Sequence, residues 1–501
     1  MKEIKGLRQV KFGAILSYIL IALNAVYGLF LTPYILSKLG NAEFGVYKTI
    51  SSLSSSLMVL DLGLGGTVMR YVAKYKAEKD EKNLSNFLAL IFLQCAIIIA
   101  VVMMICLGLY FCISGLYSQS LTIQEIQKAK KLFIVLSLSL GLHIFENVIN
   151  GIITGNNDFI FGNGIKLIRL ILRIALIYIL LNIIRDSLIL VLIDFFITLF
   201  FLMLEIIWAK FHLHAKVKFY FWDKLLFKES LFYSIFMFLT SIISQVNSNL
   251  DIVFIGILMS PNAVTVYSMG IVLFMMFNEI STSISGVMLP SVINVLKEEN
   301  GLIKVKNIVV KAGRLQFALL GAFLMGFVVL GHDFINLWLG NGFEDVYLIT
   351  IILMVPALFE LCVNICLSIL RAENLLAFRT LVLLGTTLLN AVITYFGVKY
   401  GGYFWACTGT AFSYIIGSLI IMNIYYYKKF NFNMIKIYAQ IFHKIIICIL
   451  VPSVIIYFTS KFLFGSWHKF LLNVLIYCII YSIMLLLFGF SKEEKKELLG
   501  K

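Results

Sequence analysis

Three basic side chains lie inside one long apolar stretch, residues 160–183. Lys166, Arg169 and Arg173 are spaced three and four residues apart, so all three share one face of an α-helix. A charged face is costly in hydrocarbon, and it must therefore contact protein or a wet cavity. Arginine binds phosphate oxygens through paired hydrogen bonds. We predict that Arg169 and Arg173 bind a phosphate-bearing substrate, and we include Lys166 among the candidates.

Two other roles for this basic face stay open. The arginines could pair with acidic residues of the next apolar stretch, where Asp194 and Glu205 lie. Lys166 could instead extend to the polar rim of the membrane. Both alternatives satisfy the charges without any ligand.

The pattern Phe-Glu-x-x-x-Asn occurs twice in apolar stretches of the chain. It places Glu146 beside Asn150 on one helix face, and Glu360 beside Asn364 on another. In a transporter, a buried carboxylate beside an amide can bind a coupling ion or the hydroxyls of a sugar. The alternative is polar contact between helices, which is common in membrane bundles. Because both copies have the pair, we predict a substrate-binding role for all four residues.

Three further residues are candidates for coupling and gating. Asp61 precedes a glycine-rich stretch that begins at Gly63, and glycine permits close helix approach or local unwinding. Glu279 lies at nearly the equivalent position of a later repeat. Pro356 comes four residues before Glu360, where a proline kinks a helix and could provide a hinge.

The chain that carries these side chains is more apolar than a soluble protein. Of its 501 residues, 61% are hydrophobic and only 13% are charged. Stretches long enough to cross a bilayer recur along it, and we predict about fourteen transmembrane helices. Lysine and arginine concentrate in alternate loops, which include Arg371 and Arg379. This bias indicates that both termini are cytoplasmic, and it explains the net charge of +15 without nucleic acid.

An internal repeat organises the chain. Gly45-Val46-Tyr47 aligns with Thr265-Val266-Tyr267, and the two Phe-Glu-x-x-x-Asn patterns follow at a similar offset. Six helices per copy is an even number, so both copies insert in the same orientation, as in parallel-repeat transporters. We predict an N-terminal six-helix lobe (1–209), a basic cytoplasmic linker (210–229), a C-terminal six-helix lobe (230–430), and two additional transmembrane helices with a cytoplasmic tail (431–501).

Two segments near the N-terminus resemble a known family. TPYILSKLGNAEFGVYK and LDLGLGGTVMRYVAKY are similar to the N-terminal signature of Wzx-type polysaccharide and O-antigen oligosaccharide flippases. That family belongs to the multidrug/oligosaccharidyl-lipid/polysaccharide exporter superfamily. The resemblance implies an all-α, MATE-like membrane fold of two six-helix lobes plus two C-terminal helices. It also implies export of lipid-linked sugars by alternating access.

We therefore expect a transporter of the bacterial plasma (inner) membrane rather than an enzyme. Its substrate would be an undecaprenyl-diphosphate-linked oligosaccharide, moved from the cytoplasmic to the outer leaflet for cell-surface polysaccharide biosynthesis. The sequence contains no nucleotide-binding motif, so a gradient of H⁺ or Na⁺ would supply the energy. We predict no metal site and no other cofactor.

The expected partners follow from this role. They are the lipid-linked oligosaccharide, membrane lipids, a polysaccharide polymerase and glycosyltransferases, and they do not include nucleic acid. The alternative function is a cation-coupled multidrug or lipid II-type exporter of the same superfamily. A basic face argues against cationic drugs. A membrane enzyme would need a large outer loop or an intramembrane set of acids and bases, and neither is evident.

Overall fold

The structure is a computed structural model of the chain. It describes residues 2–61, 63–222, 224, 228–229, 249–296, 298–373, 375–461, 465–490 and 494–495. The described residues form helices and short connections, and none of them lies in a β-strand. They belong to two compact units, Met1–Thr265 and Val266–Lys501, which we call unit 1 and unit 2.

The described helices of unit 1 precede Pro261, where the helix that continues into unit 2 begins. They are α1 (Lys2–Leu39), α2 (Asn41–Leu57), α3 (Leu64–Glu78), α4 (Glu81–Leu116), α5 (Ile123–Gly155), α6 (Phe159–Ile183), α7 (Ser187–Phe211) and α8 (Asn249–Leu258). A 3₁₀ turn, Met58–Asp61, separates α2 from α3.

The described helices of unit 2 continue from α9. They are α9 (Pro261–Leu296), α10 (Gly301–Leu339), α11 (Asp345–Cys362), α12 (Cys366–Ala372), α13 (Leu376–Gly401), α14 (Phe404–Ser413), α15 (Asn423–Phe430), α16 (Met434–Phe442), α17 (Ile445–Ser460) and α18 (Trp467–Met484). Two π-helical segments, Tyr414–Met422 and Leu485–Gly489, follow α14 and α18 without a break.

Eleven helices of the described residues are long and apolar enough to cross a membrane, or twelve if α16 and α17 form one span bent by 47°. The expected count of about fourteen is therefore not confirmed. α6 is long enough to cross a membrane, with 25 residues, but it is not among the eleven. Every stretch of α6 that is long enough to span contains all three of its basic residues. The first part of the predicted C-terminal lobe, residues 230–248, lies outside the described residues, and α8 follows it.

Glycines allow α3 and α5 to pack closely in unit 1. A side-chain carbon added at Gly151 would lie 2.6 Å from the backbone oxygen of Gly65, and one added at Gly65 would lie 2.8 Å from that of Asn147. Around this contact Val68 and Ile153 are fully buried. The close approach predicted for the glycine-rich stretch is present, and it fixes α5, the helix that carries Glu146.

An ion cluster ties the N-terminal ends of α2, α5 and α7 together. The Nζ of Lys128 lies 3.0 Å from Glu43 Oε1 and 2.7 Å from Asp186 Oδ2. The amide of Leu188 donates to Asp186 Oδ1 at 2.7 Å. Burial favours the neutral acid, but these two donors outweigh it and hold the pKa of Asp186 below its ordinary value. The cluster fixes the register of α5 against α7.

The two C-terminal helices pack on α10. The hydroxyls of Tyr477 and Tyr481 donate to the carbonyls of Ala322 (2.9 Å) and Ala318 (2.6 Å) on α10. Both tyrosines are on α18, and they bond to oxygens one helical turn apart. The additional helices are therefore built into unit 2 rather than attached loosely to it.

Candidate functional site

The basic face of α6 lies against α5 and α7. Glu146 comes from α5, and Asp194 and Thr198 come from α7. The side chains of Arg169 and Arg173 are 22% and 28% exposed. For these two arginines, the arrangement agrees with the prediction that the basic face contacts protein or a cavity.

Arg173 pairs with Asp194 through two hydrogen bonds. Nε donates to Oδ1 at 2.5 Å and Nη2 donates to Oδ2 at 2.7 Å. The guanidinium also lies over the ring of Tyr27 on α1, 5.1 Å from its centroid. Forked pairing and a cation–π contact fix the guanidinium plane. This is one of the pairings left open by the sequence.

Arg169 pairs with Glu146 rather than with Glu205. Nη1 donates to Glu146 Oε1, and Nη2 donates to the hydroxyl of Thr198. The second carboxylate oxygen of Glu146 lies 3.0 Å from His143 Nδ1. Glu146 therefore lies between a guanidinium and an imidazole, and it is only 6% exposed.

Glu205 and Asn150 complete this set of side chains. The amide Nδ2 of Asn150 lies 3.3 Å from Glu205 Oε2 and 3.3 Å from the backbone oxygen of Glu146. Glu205 is 1% exposed. We call His143, Glu146, Asn150, Arg169, Thr198 and Glu205 the α5–α7 cluster. It joins both residues of the first Phe-Glu-x-x-x-Asn pattern in one polar group with Arg169.

Lys166 is not part of this cluster. It is exposed on α6, and among the described residues it forms no ion pair. Its side chain is free to extend along the helix, which is the alternative that the sequence left open.

Unit 2 contains a similar but smaller group. Arg379 Nη2 on α13 lies 3.3 Å from Glu360 Oε1 on α11. The hydroxyl of Ser418 donates to Glu360 Oε2 at 2.7 Å. Asn364 lies just after Glu360, in the break between α11 and α12. Each unit therefore has a glutamate–arginine pair with a hydroxyl beside it.

A small cavity adjoins the unit 2 group. Its volume is about 20 Å³, and Glu360, Asn364, Arg379 and Ser418 line it together with Tyr426. A cavity of this size holds about one water molecule. The polar atoms that line it suit water or a small ion in this conformation.

The coupling and gating candidates occupy separate positions. Asp61 ends the 3₁₀ turn between α2 and α3, where it accepts hydrogen bonds from the Gly63 amide and from Asn147 Nδ2, both at 2.8 Å. Glu279 is half-buried on α9, in unit 2. Pro356 is buried inside α11, and the helix continues through it to Cys362.

Sequence reasoning missed four partners in these groups. His143 and Thr198 lie one turn from Glu146 and Asp194, a spacing that could have drawn attention to them. Arg379 reads from the sequence as a loop charge that indicates topology, although it pairs with Glu360, and Ser418 donates to the same carboxylate. Nothing in the spacing shows which acid pairs with which arginine, because that depends on how α5, α6 and α7 pack.

The described helices define a multi-pass membrane protein, and its fold is one that solved transporters share. The lipid II flippase MurJ in an inward closed conformation gives a TM-score of 0.71 at 16% identity, over 94% of this chain and 97% of that one. An inward-facing MATE family transporter of the MOP superfamily gives 0.62 at 15% identity, over 85% and 98%. A MOP superfamily transporter from Pyrococcus furiosus gives 0.56 at 17%, over 85% and 97%.

The chain belongs to the polysaccharide biosynthesis protein family, whose match covers residues 12–294. A search of curated protein sequences finds no significant match. The predicted family and the predicted MATE-like, all-α membrane fold are both confirmed. At identities of 15–17% the solved structures show the fold alone.

Proposed function

We propose that the protein is a flippase for an undecaprenyl-diphosphate-linked oligosaccharide. It moves this lipid from the cytoplasmic to the outer leaflet of the bacterial plasma membrane by alternating access. The observation that carries the proposal is the pair of guanidinium groups, Arg169 and Arg173, inside a helix bundle of a polysaccharide biosynthesis protein. Two arginines suit the two phosphates of such a lipid.

The arginines reach the substrate by exchange of partners. In the resting protein Glu146 and Asp194 neutralise Arg169 and Arg173, because an unpaired charge inside the bundle is costly. A diphosphate offers oxygen acceptors of the same geometry as a carboxylate, with more negative charge. Substrate phosphates therefore displace the carboxylates, and the carboxylates return when the lipid leaves.

The unit 2 group has a different role in this proposal. A cavity of about 20 Å³ beside Glu360 and Asn364 is too small for a sugar ring. Contact with sugar at these residues, as predicted from the sequence, requires this cavity to open during the cycle. In the present conformation the group can bind water or a coupling ion, H⁺ or Na⁺. In the proposed topology both termini lie in the cytoplasm. Glycosyltransferases make the substrate on that side of the membrane, and a polymerase receives it on the other side.

The test uses Arg169→Ala, Arg173→Ala and the double variant in cells that lack the native gene. Each variant is expected to reduce surface polysaccharide at least about tenfold, because a hydrogen bond to a charged group contributes about 1.5–3 kcal/mol. Arg185→Ala is the matched control, since Arg185 is exposed in the connection after α6. Wild-type polysaccharide in the double variant, at equal protein level in the membrane, would refute the proposed phosphate site.

A further inference from the structure

The α5–α7 cluster has more carboxylates than permanently charged cations. Glu146 and Glu205 bring two carboxylates, whereas Arg169 brings one guanidinium, which is bonded to Glu146 and Thr198. The imidazole of His143, the other basic group of the cluster, also lies on Glu146. The next arginine along α6 uses two donors on Asp194. Glu205 is left without a cation of its own.

Glu205 is also poorly solvated. It is 1% exposed, and among the described residues its carboxylate has a single hydrogen-bond partner, the amide of Asn150 at 3.3 Å. An ionised carboxylate in a membrane bundle needs a cation or several donors. The protonated form needs neither, so it fits these surroundings.

The amide of Asn150 points to the same conclusion. Its Oδ1 is buried and accepts no hydrogen bond among the described residues. A buried acceptor without a donor is costly, and the two ends of an amide are exchanged by a half turn. A proton on Glu205 supplies the donor that this group lacks.

The charged groups around Glu205 do not provide a cation that pairs with it. Those that act on it are Glu146 from α5 and Arg169 and Lys166 from α6. Glu146 favours a neutral neighbour. Arg169 is engaged elsewhere, and Lys166 is exposed.

The other groups near α7 lie further away. α2 also packs on α7, but its Glu43 bonds to the amide of Ser187, about 27 Å along α7 from Glu205 at 1.5 Å per residue. On α7 itself, His212 follows at the C-terminal end and stacks on Trp208.

Unit 2 shows a neutral donor at the matching place. The offset that separates Glu146 from Glu360 places Glu205 one residue from Ser418. The Ser418 hydroxyl donates to Glu360 at 2.7 Å, beside the pair that Glu360 forms with Arg379. A protonated Glu205 would be the counterpart of this hydroxyl in unit 1.

We propose that Glu205 is a proton-binding site that is neutral at physiological pH. When a substrate phosphate binds Arg169 and displaces Glu146, the O–H of Glu205 donates a hydrogen bond to the displaced carboxylate. The proton stays between the two carboxyl groups, so the exchange requires no proton from solution. Glu205 is thus a positioning residue for Arg169. Its role in transport rests on the proposed function, whereas its protonation does not.

The first test measures the proton directly in the purified protein without substrate. Infrared difference spectra between neutral and alkaline pH are expected to show the carbonyl band of a protonated carboxyl group, and Glu205→Gln is expected to remove it. Glu298→Gln is the control, because Glu298 is exposed in an ion pair with Lys304 and its change leaves the band. Identical spectra for the wild type and Glu205→Gln would overturn the proposal.

The second test compares transport by Glu205→Gln and Glu205→Ala. In the wild type, loss of the Glu205 proton at alkaline pH should reduce transport. Glutamine keeps a neutral donor at every pH, so Glu205→Gln should retain transport and should not show this alkaline decline. Alanine should reduce transport about fivefold, the loss of one hydrogen bond. Glutamine as damaging as alanine would overturn the role of the proton. If even the wild type moves no lipid-linked sugar, the proposed function fails, and the infrared band still decides whether Glu205 is protonated.

Discussion

At the scale of single residues, two arginines of one helix face have different partners. Arg173 is held by Asp194 through two hydrogen bonds and by the Tyr27 ring. Arg169 shares its donors between Glu146 and Thr198. The forked pair fixes Arg173 in one orientation, whereas Arg169 belongs to a larger polar group with several ways to share its hydrogen bonds. Exchange of partners is therefore easier at Arg169.

The Arg173–Asp194 pair leads to a stability prediction. Asp194→Asn leaves the guanidinium without its counter-charge, and removing one partner of a buried pair costs about 3–5 kcal/mol. We expect the lower end of this range, because both side chains are 28% exposed. The measurement is thermal unfolding in detergent.

The matched comparison for that prediction is the double variant. Arg173→Met with Asp194→Leu removes both charges and should regain most of the lost stability, because no buried charge is left unpaired. If the losses of stability caused by the two single substitutions simply add in the double variant, Arg173 and Asp194 are not coupled in the folded protein.

At the scale of elements, the sequence predicts the helices better than their breaks. Apolar length and basic loops are enough to place α4, α5 and α7, because a membrane demands long apolar stretches with satisfied backbone groups. The break between α2 and α3 had a signal in Gly63, whose φ is +64°. The break between α11 and α12 had none, since its residues are ordinary ones for a helix.

The pairing of charges could be predicted only in part. Helical spacing is enough to place the basic side chains of α6 on one face. It does not show that Glu146 rather than Glu205 reaches Arg169, because the two acids lie on different helices and the choice depends on their rotation and depth. Packing decides both, and no spacing along the chain encodes it.

The close contact of α3 with α5 leads to a prediction about an element. Gly151→Leu places a side chain against the backbone oxygen of Gly65, which lies 2.6 Å from the first added carbon. Backbone cannot yield as a flexible side chain can, so we expect a loss of at least about 1–3 kcal/mol. The measurement is the yield and melting temperature of the purified protein.

Gly108→Ala provides the control for this prediction. Gly108 lies on α4, and a side-chain carbon added there meets nothing within 4 Å. Alanine favours helix over glycine, so this variant should be as stable as the wild type. Equal stability of Gly151→Leu and Gly108→Ala would mean that α3 and α5 do not approach as closely as described.

At the scale of the whole molecule, two units share a plan but not a set of charges. Each has a glutamate–arginine pair with a hydroxyl beside it, formed by Glu146 with Arg169 in unit 1 and by Glu360 with Arg379 in unit 2. Among the described residues, only the group in unit 1 adds a second arginine–carboxylate pair and a buried acid to this plan. We infer that duplication supplied the framework and that the proposed phosphate site is confined to unit 1.

The most direct test of the account is flipping by the purified protein in liposomes that contain an undecaprenyl-diphosphate-linked oligosaccharide. The measurement is the rate at which the sugar becomes accessible to a membrane-impermeant glycosidase. The wild type should move the lipid faster than protein-free liposomes, and Arg169→Ala with Arg173→Ala should slow it at least about tenfold. A wild-type rate no higher than that of protein-free liposomes, with the protein folded, would contradict the account.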